Sequence, residues 1–491
     1  MNGAVSALHA RSAGGTLTRR DRVVILATCC LSLFIVGLDV SALNVAIPSI
    51  GHDLDATESQ LQWVLDSYAL VIASLLIFGG TLGDRFGRKR IFRVGLLVFG
   101  VASVLCSLAP SAEFLIGARM VQAIGGSMLN PVALAIVTNV FVDPRERAQA
   151  IGVWGTAFGL SMAFGPVVGG ALVSGIGWEA IFWLNVPVCL LALALTTRFV
   201  PESRAEHARR ADPVGQVLVL AFLATLTFAI IEGRPLGWTS PTVLGCFAVS
   251  AVALVVLVWY ENRRDEPLLD PRFFGSAPFT SAVACAVIAF AATGGFLFLN
   301  TLYLQEVRGL SPMNAGLMTL PMAAASVVCA PIAGRLVGNR GTRLPMMVGS
   351  FATIAGSLML IGLGDDTSYV YVGASYLVFG LGFGFLNAPI TNGAVSGMPR
   401  TQAGLASAMA STGRQVGTAL GVAVFGAIAF AGIDGPIAEG LSGAARPVWI
   451  AMAVCGVILA VIVYVSTGEW GRATAERTRT RIESTTGAWK A

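Results

Sequence analysis

The sequence predicts an all-α integral membrane protein of fourteen transmembrane helices: two six-helix bundles with two further helices between them. Three observations carry that expectation. Apolar runs long enough to cross a bilayer recur fourteen times along 491 residues that are 55% hydrophobic and only 12% charged. Lys and Arg alternate between the connecting segments, so the two faces of the membrane can be told apart. A pattern of glycine and leucine near residue 80 returns near residue 334, at the matching place in the second half.

A span needs about 20 apolar residues. The first run, about 23–49, follows a polar segment at 1–22 and is too long for a signal-peptide core. No small-residue cleavage site follows it, so it is expected to remain as an anchor. The second run (about 60–82) ends in glycines, and the third (92–109) begins after a basic hairpin. The fourth (113–140) carries Arg119; the fifth (147–173) is glycine-rich and contains Pro166; the sixth (180–199) closes a bundle at 23–199. Runs at 214–231 and 241–260 have the plainest apolar sequence, with Glu232 as the only nearby charge, and are expected to be a lipid-facing pair within a linker at 200–276. The second bundle, 277–466, holds runs at 277–304, 313–336, 344–363, 369–395, 403–430 and 447–466, before a tail at 467–491.

Orientation follows from the bases. With the amino terminus inside, 27 of the 32 Lys and Arg fall in cytoplasmic segments, and only Arg234, Arg308 and Arg446 lie in outer loops. That bias is the positive-inside rule at full strength and places both termini in the cytoplasm. The net charge of +5 then marks the inner leaflet face and not a nucleic-acid partner. The eight cysteines all lie inside apolar runs without C-x-x-C spacing, as small packing residues do, and no metal site is expected. Only Lys89 and Lys490 exist, and neither completes a phosphate-binding loop, which excludes an ATP-driven pump.

Charges inside the apolar runs need a partner or a purpose, since each costs about 2.5–3.5 kcal/mol at a helix centre. Asp39 lies roughly 16 Å from the outer end of the first run, and Asp66 about 9 Å into the second. Arg119 is at similar depth in the fourth. At least one acid is expected to be its counter-ion; the bland alternative is a structural ion pair. Arg414, with Gln415 beside it, lies near the midplane of the thirteenth run, with no acid in the apolar interior of its bundle. Asp84 stands at a helix end with Arg85 and Arg88, in Gly80-Thr81-Leu82-Gly83-Asp84-Arg85-Phe86-Gly87-Arg88-Lys89-Arg90. There a carboxylate can dock on a helix N-terminus in one arrangement of the bundles. In the second copy, Gly334-x-Leu336 with Gly341, Gly338 replaces the acid. Gly165, Pro166, Gly169 and Gly170 give the fifth run a smooth, kinked end suited to a hinge or seal.

These segments resemble the fourteen-span drug:proton antiporter branch of the major facilitator superfamily. Gly80–Arg90 is similar to its motif A, Leu115–Gly125 to motif B, and Gly165-Pro166-x-x-Gly169-Gly170 to its antiporter motif C. Leu38-Asp39 with Asn44, Ala46 and Pro48 resembles the first-helix motif of drug exporters. Trp178 to Pro187 resembles the branch's W-R-x-x-F-x-x-N-V-P run, with Glu179 in place of Arg. Tyr303-Leu304-Gln305, Ser311-Pro312 and Ala315-Gly316 also match. The resemblance implies a cell-membrane exporter, not an enzyme, that uses the proton gradient and no cofactor. Its partners would be protons, a drug-like small molecule and the bilayer, and it would act as a monomer. It assigns proton coupling to Asp39, Asp66 and Arg119, and gating to Gly80, Asp84, Arg85, Gly87, Arg88 and the Gly165–Gly170 run. Substrate contacts are expected from Asp39, Asp66, Trp63, Tyr68, Phe158 and Arg414. Asp66 favours lipophilic cations, whereas the acids some multivalent-cation exporters carry in the tenth and thirteenth spans are missing. A dedicated exporter of one metabolite, antibiotic, siderophore or lipid remains open, and more remotely a membrane sensor without transport.

Overall fold

The computed structural model describes residues 18–204, 212–264, 267, 271–396, 398, 403–433 and 435–487, excepting some side chains in 144–163 and those of 403–405 and 483–487. Bundle one comprises α1 (Arg19–Asp53), α2 (Glu58–Phe86), α3 (Arg88–Ser107), α4 (Ala112–Val140), α5 (Pro144–Gly175) and α6 (Glu179–Phe199). Two further helices follow, α7 (Pro213–Ile231) and α8 (Pro241–Glu261). Bundle two comprises α9 (Ala277–Leu302, continued by a π turn at Tyr303–Val307), α10 (Pro312–Met318), α11 (Leu320–Arg340), α12 (Arg343–Leu360), α13 (Tyr369–Val395), α14 (Ala403–Ala431), α15 (Ile437–Ala444) and α16 (Arg446–Ser466). A polar helix, α17, covers Glu469–Gly487. Helices alone satisfy every backbone group within a segment, which hydrocarbon requires.

Thirteen helices or joined helix pairs among the described residues are long and apolar enough to cross a membrane. The other expected run, 147–173, lies in α5, whose fully described apolar part is Phe164–Gly175. Phe158 falls outside the described side chains. Local sequence sets the helix starts. Thr18 with Asp21, and Thr57 with Gln60, form capping boxes, while Ser111, Asp212 and Ser240 accept from the first turns of α4, α7 and α8. Gly87, at φ 111°, turns the chain from α2 into α3 where a side chain would be strained.

Glycines decide how closely the helices approach. A Cβ on Gly125 of α4 would lie 2.5 Å from the Phe99 nitrogen of α3, and one on Gly356 of α12 would lie 2.7 Å from the Phe379 nitrogen of α13. Thus the same third-to-fourth helix contact is built twice, once in each bundle.

The bundles join at the end that the basic residues assign to the outside. Gln305 Nε2 donates to the Val45 carbonyl at 2.7 Å, His52 meets Glu306 at 3.2 Å, and Met313 N donates to Ser174 Oγ at 3.1 Å. Gly170 abuts Pro312, and Gly316 abuts Pro166, each so closely that a Cβ would come within 2.4 Å of a carbonyl oxygen. The glycine–proline end of α5 is therefore a contact plate for α10. At the opposite end, a Cβ on Gly334, Gly338 or Gly341 would meet nothing within 4 Å.

The extra pair departs from the lipid-facing expectation. A broad exposed face is present on α8, through Val249, Val252 and Val255, and a shorter one on the first turns of α7, through Val214, Val217 and Leu220. Yet α7 packs on both α2 and α14, covering the line where the two bundles meet. Its outer end is fastened to both sides: Trp63 Nε1 donates to Glu232 at 3.0 Å, and Arg234 donates to Glu58 at 3.2 Å and to the Ile433 carbonyl at 2.7 Å. Glu232 and Arg234 thus act as fasteners, which a plain apolar pattern conceals.

Replacing Gly316 with Val should force α10 away from α5 and open the outer end. The expected outcome is a several-fold faster reaction of a cysteine placed at Ser174 with a membrane-impermeant maleimide, measured in a background without the eight native cysteines. Unchanged labelling would show that the plate does not hold this end shut.

Candidate functional site

The most concentrated polar chemistry in the membrane region lies inside bundle one. Asp39 on α1 and Arg119 on α4 form an ion pair through Oδ2 and Nη1, with the two side chains 0% and 1% exposed. Arg119 and Gln122 lie three residues apart and so share one face of α4. The same Nη1 donates to Gln122 Oε1 at 2.6 Å, while Gln122 Nε2 donates to Asp39 Oδ1 and to Ser103 Oγ, both at 2.9 Å. Asn185 Nδ2 on α6 adds a bond to Asp39 Oδ1 at 2.7 Å and a longer one to Ser103 at 3.2 Å. The guanidinium carbon sits 4.0 Å from the Tyr68 ring centre, and Arg119 Nε reaches the Val64 carbonyl at 3.4 Å. Helices α1, α2, α3, α4 and α6 all contribute.

Helix packing explains why these groups meet. The close contact of α3 with α4 at Gly125 brings Ser103 against Gln122, and Asn185 precedes Pro187 in α6, where the helix loses a backbone donor. The buried carboxylate accepts three hydrogen bonds from charged or amide donors, which is how a buried charge is made tolerable. Arg119 is the cation that serves it, and the resulting network ties five helices together.

Asp66 stands apart from this cluster. It shares a face of α2 with Gln62, Ala69 and Ala73, and that face packs toward α14, where Gln62 abuts Gly426. Asp66 is 0% exposed, and neither carboxylate oxygen has a hydrogen-bond partner among the described residues. The expected trio of Asp39, Asp66 and Arg119 is thus a pair plus a separate acid. Trp63 is engaged with Glu232 and Phe228, and Tyr68 lies over Arg119, so neither faces an open cleft in this arrangement.

The basic hairpin is held within bundle one. Arg88 donates to Asp84 Oδ1 from Nε at 3.0 Å and from Nη2 at 2.9 Å, and Lys89 Nζ donates to the Thr197 carbonyl at 2.9 Å. Gly80 rests on Pro131, and Arg85 is exposed beside Phe86. Arg414 in bundle two donates to Ser411 at 3.1 Å and to Thr391, with the Phe290 ring 5.8 Å away. Nothing in the linear pattern marks Ser103: a lone hydroxyl in an apolar helix usually bonds its own backbone, as Ser103 also does to Phe99. Gln122 and Asn185 stood inside recognisable motifs, but only their three-dimensional convergence shows what they touch.

The profile of the Major Facilitator Superfamily matches residues 29–422. The chain belongs to that superfamily. Its members are transporters and not enzymes. Within the superfamily the chain is 37% identical over 409 residues to the multidrug resistance protein Stp of Mycobacterium tuberculosis, covering 83% of this chain and 76% of Stp. It is 35% identical over 427 residues to the methylenomycin A resistance protein of Streptomyces coelicolor, covering 85% and 87%. It is also 35% identical over 409 residues to the multidrug efflux pump LfrA of Mycolicibacterium smegmatis, covering 82% and 80%. Among solved structures, a bacterial homologue of the human lysosomal transporter Spinster, in an inward-facing and unoccupied conformation, is similar with a TM-score of 0.65. That likeness, at 19% identity over 94% of this chain and 98% of that one, shows the superfamily fold.

Removing one member of the buried pair leaves an uncompensated charge, which costs about 3–5 kcal/mol. Arg119→Gln should therefore lower the thermal midpoint of the purified protein in detergent, and Asp39→Asn combined with it should restore much of the loss. A wild-type melt for Arg119→Gln alone would contradict the ion pair's structural weight.

Proposed function

We propose that the protein exports small lipophilic compounds from the cytoplasm in exchange for protons, by alternating access of two six-helix bundles. The observation that carries this is the sealed Asp39–Arg119 pair, a titratable carboxylate linked to five helices on one side of the bundle interface. Similarity to named multidrug and antibiotic resistance proteins over most of both chains supports the efflux reading. In this reading the chain is a monomeric, fourteen-span member of the drug:proton antiporter branch, in the cell membrane with both termini cytoplasmic. The arrangement described above is then its inward-open state, closed outside by the α5–α10 plate.

Asp39 and Arg119 are the coupling pair in this scheme. A proton on Asp39 releases Arg119 and weakens the packing of bundle one, and deprotonation restores it. Asp84 holds Arg88 in the inward-open state and exchanges that partner for a helix end across the interface when the cytoplasmic side closes. Asp66, buried on the face that packs against bundle two, is a second carboxylate available to lipophilic cations or protons when the interface parts. A dedicated exporter of a single natural product is the second reading, and the methylenomycin A resistance relative favours it.

In inside-out vesicles, Asp39→Asn should abolish uptake driven by a pH gradient while the protein remains in the membrane at wild-type abundance; normal uptake would refute the coupling assignment. Asp66→Asn should weaken export of cationic dyes more than that of neutral drugs, scored by a susceptibility panel in cells lacking their own pumps, with and without an uncoupler. An equal loss of both would make Asp66 structural.

A further inference from the structure

Arg414 is the counterpart in bundle two of a problem that bundle one solves with a carboxylate. It lies on α14 with its guanidinium half-buried, and a guanidinium keeps its charge in any protein setting. Its acceptors are hydroxyls alone: Ser411 at 3.1 Å and Thr391 of α13. No carboxylate lies within ion-pair distance of it among the described residues, and its Nε, fully shielded from solvent, has no acceptor among them. The Phe290 ring, 5.8 Å from the guanidinium carbon, completes an aromatic wall. Buried Arg119, by contrast, has Asp39 as a fixed partner.

The surroundings show what Arg414 faces. Ser411, Arg414, Gln415 and Thr418 recur at helical spacing and are all partly exposed, while the neighbouring Val416 and Ala419 pack against α2 and α7. A polar stripe with a cation at mid-membrane is too costly against lipid and belongs on a water-filled path. Its partner Thr391 is close to the C-terminal end of α13, so the stripe sits toward the end of the bundles where a Cβ on Gly334 or Gly338 would meet no neighbour.

We propose that Arg414 binds a carboxylate carried by the exported compound, with Ser411, Thr391 and Gln415 as its polar flank and Phe290 beneath the adjoining apolar part. The site would favour amphiphilic acids and zwitterions over otherwise identical compounds lacking the acid. The inference rests on the efflux reading and deepens it: bundle one keeps its own acid for coupling, and the compound supplies the acid missing from bundle two. A zwitterion satisfies this site and leaves its cationic end free for a carboxylate elsewhere.

Rhodamine B and its ethyl ester test this, because they share one cationic scaffold and differ by a free carboxylate. Efflux of each dye is measured in cells lacking their own pumps, and kcat/KM is compared for wild type, Arg414→Gln and Arg414→Lys. Wild type should export both dyes with a preference for rhodamine B. In Arg414→Gln that preference should fall roughly tenfold or more, as loss of a charge-assisted bond predicts. Arg414→Lys, which retains the charge, should keep part of it. A parallel fall for both dyes in Arg414→Gln, or an unmoved preference, would overturn the assignment and make Arg414 structural. Export of the ester but not of rhodamine B by wild type would overturn it while leaving efflux intact, and export of neither would remove both readings.

Discussion

The rest of the membrane domain depends on one electrostatic constraint: Asp39 and Arg119 are tolerable in a low-dielectric interior only together. Coulomb attraction and hydrogen bonds must offset the loss of water from both groups, so every donor around the carboxylate has to be in place at once. That requirement fixes the relative depth of five helices and explains why amides, not further charges, surround the pair. The glycines of α3 and α4 serve the same constraint, because only backbones this close let short side chains such as Ser103 reach the network.

Built on one repeated plan, the two bundles are chemically unequal. Each repeats the close third-to-fourth helix contact, yet the second lacks an acid to match Asp84 and gives its half-buried base hydroxyl partners. A symmetric scaffold suits rocking of one bundle against the other, and in the scheme proposed above the asymmetry would put coupling on one side and recognition on the other.

Much of this was legible in the sequence, for a physical reason. A bilayer restricts spans to long apolar helices, so the run lengths located the helices, and Asp39 and Arg119 stood out against a nearly uncharged background. The pairing did not follow from that background: Asp39 and Asp66 lie in the same outer half, and only helix rotation separates them, turning one toward Arg119 and the other toward α14. The same limit applies to α7. Its composition says only that it is apolar, whereas its position depends on Glu232 and Arg234 meeting residues far along the chain. Burial of Ser103 among amides has no signature in a linear string at all.

Placement of α7 across the α2–α14 line bears on the routes open to a compound dissolved in the bilayer. A two-bundle transporter has two side slits through which a molecule dissolved in the bilayer could slip between the halves. Here one slit is boarded over by α7 and pinned at its rim by Arg234, while the slit between α5 and α11 has no such cover among the described residues. A compound that entered from the bilayer between the bundles would therefore find only the α5–α11 flank without a further covering helix among the described residues.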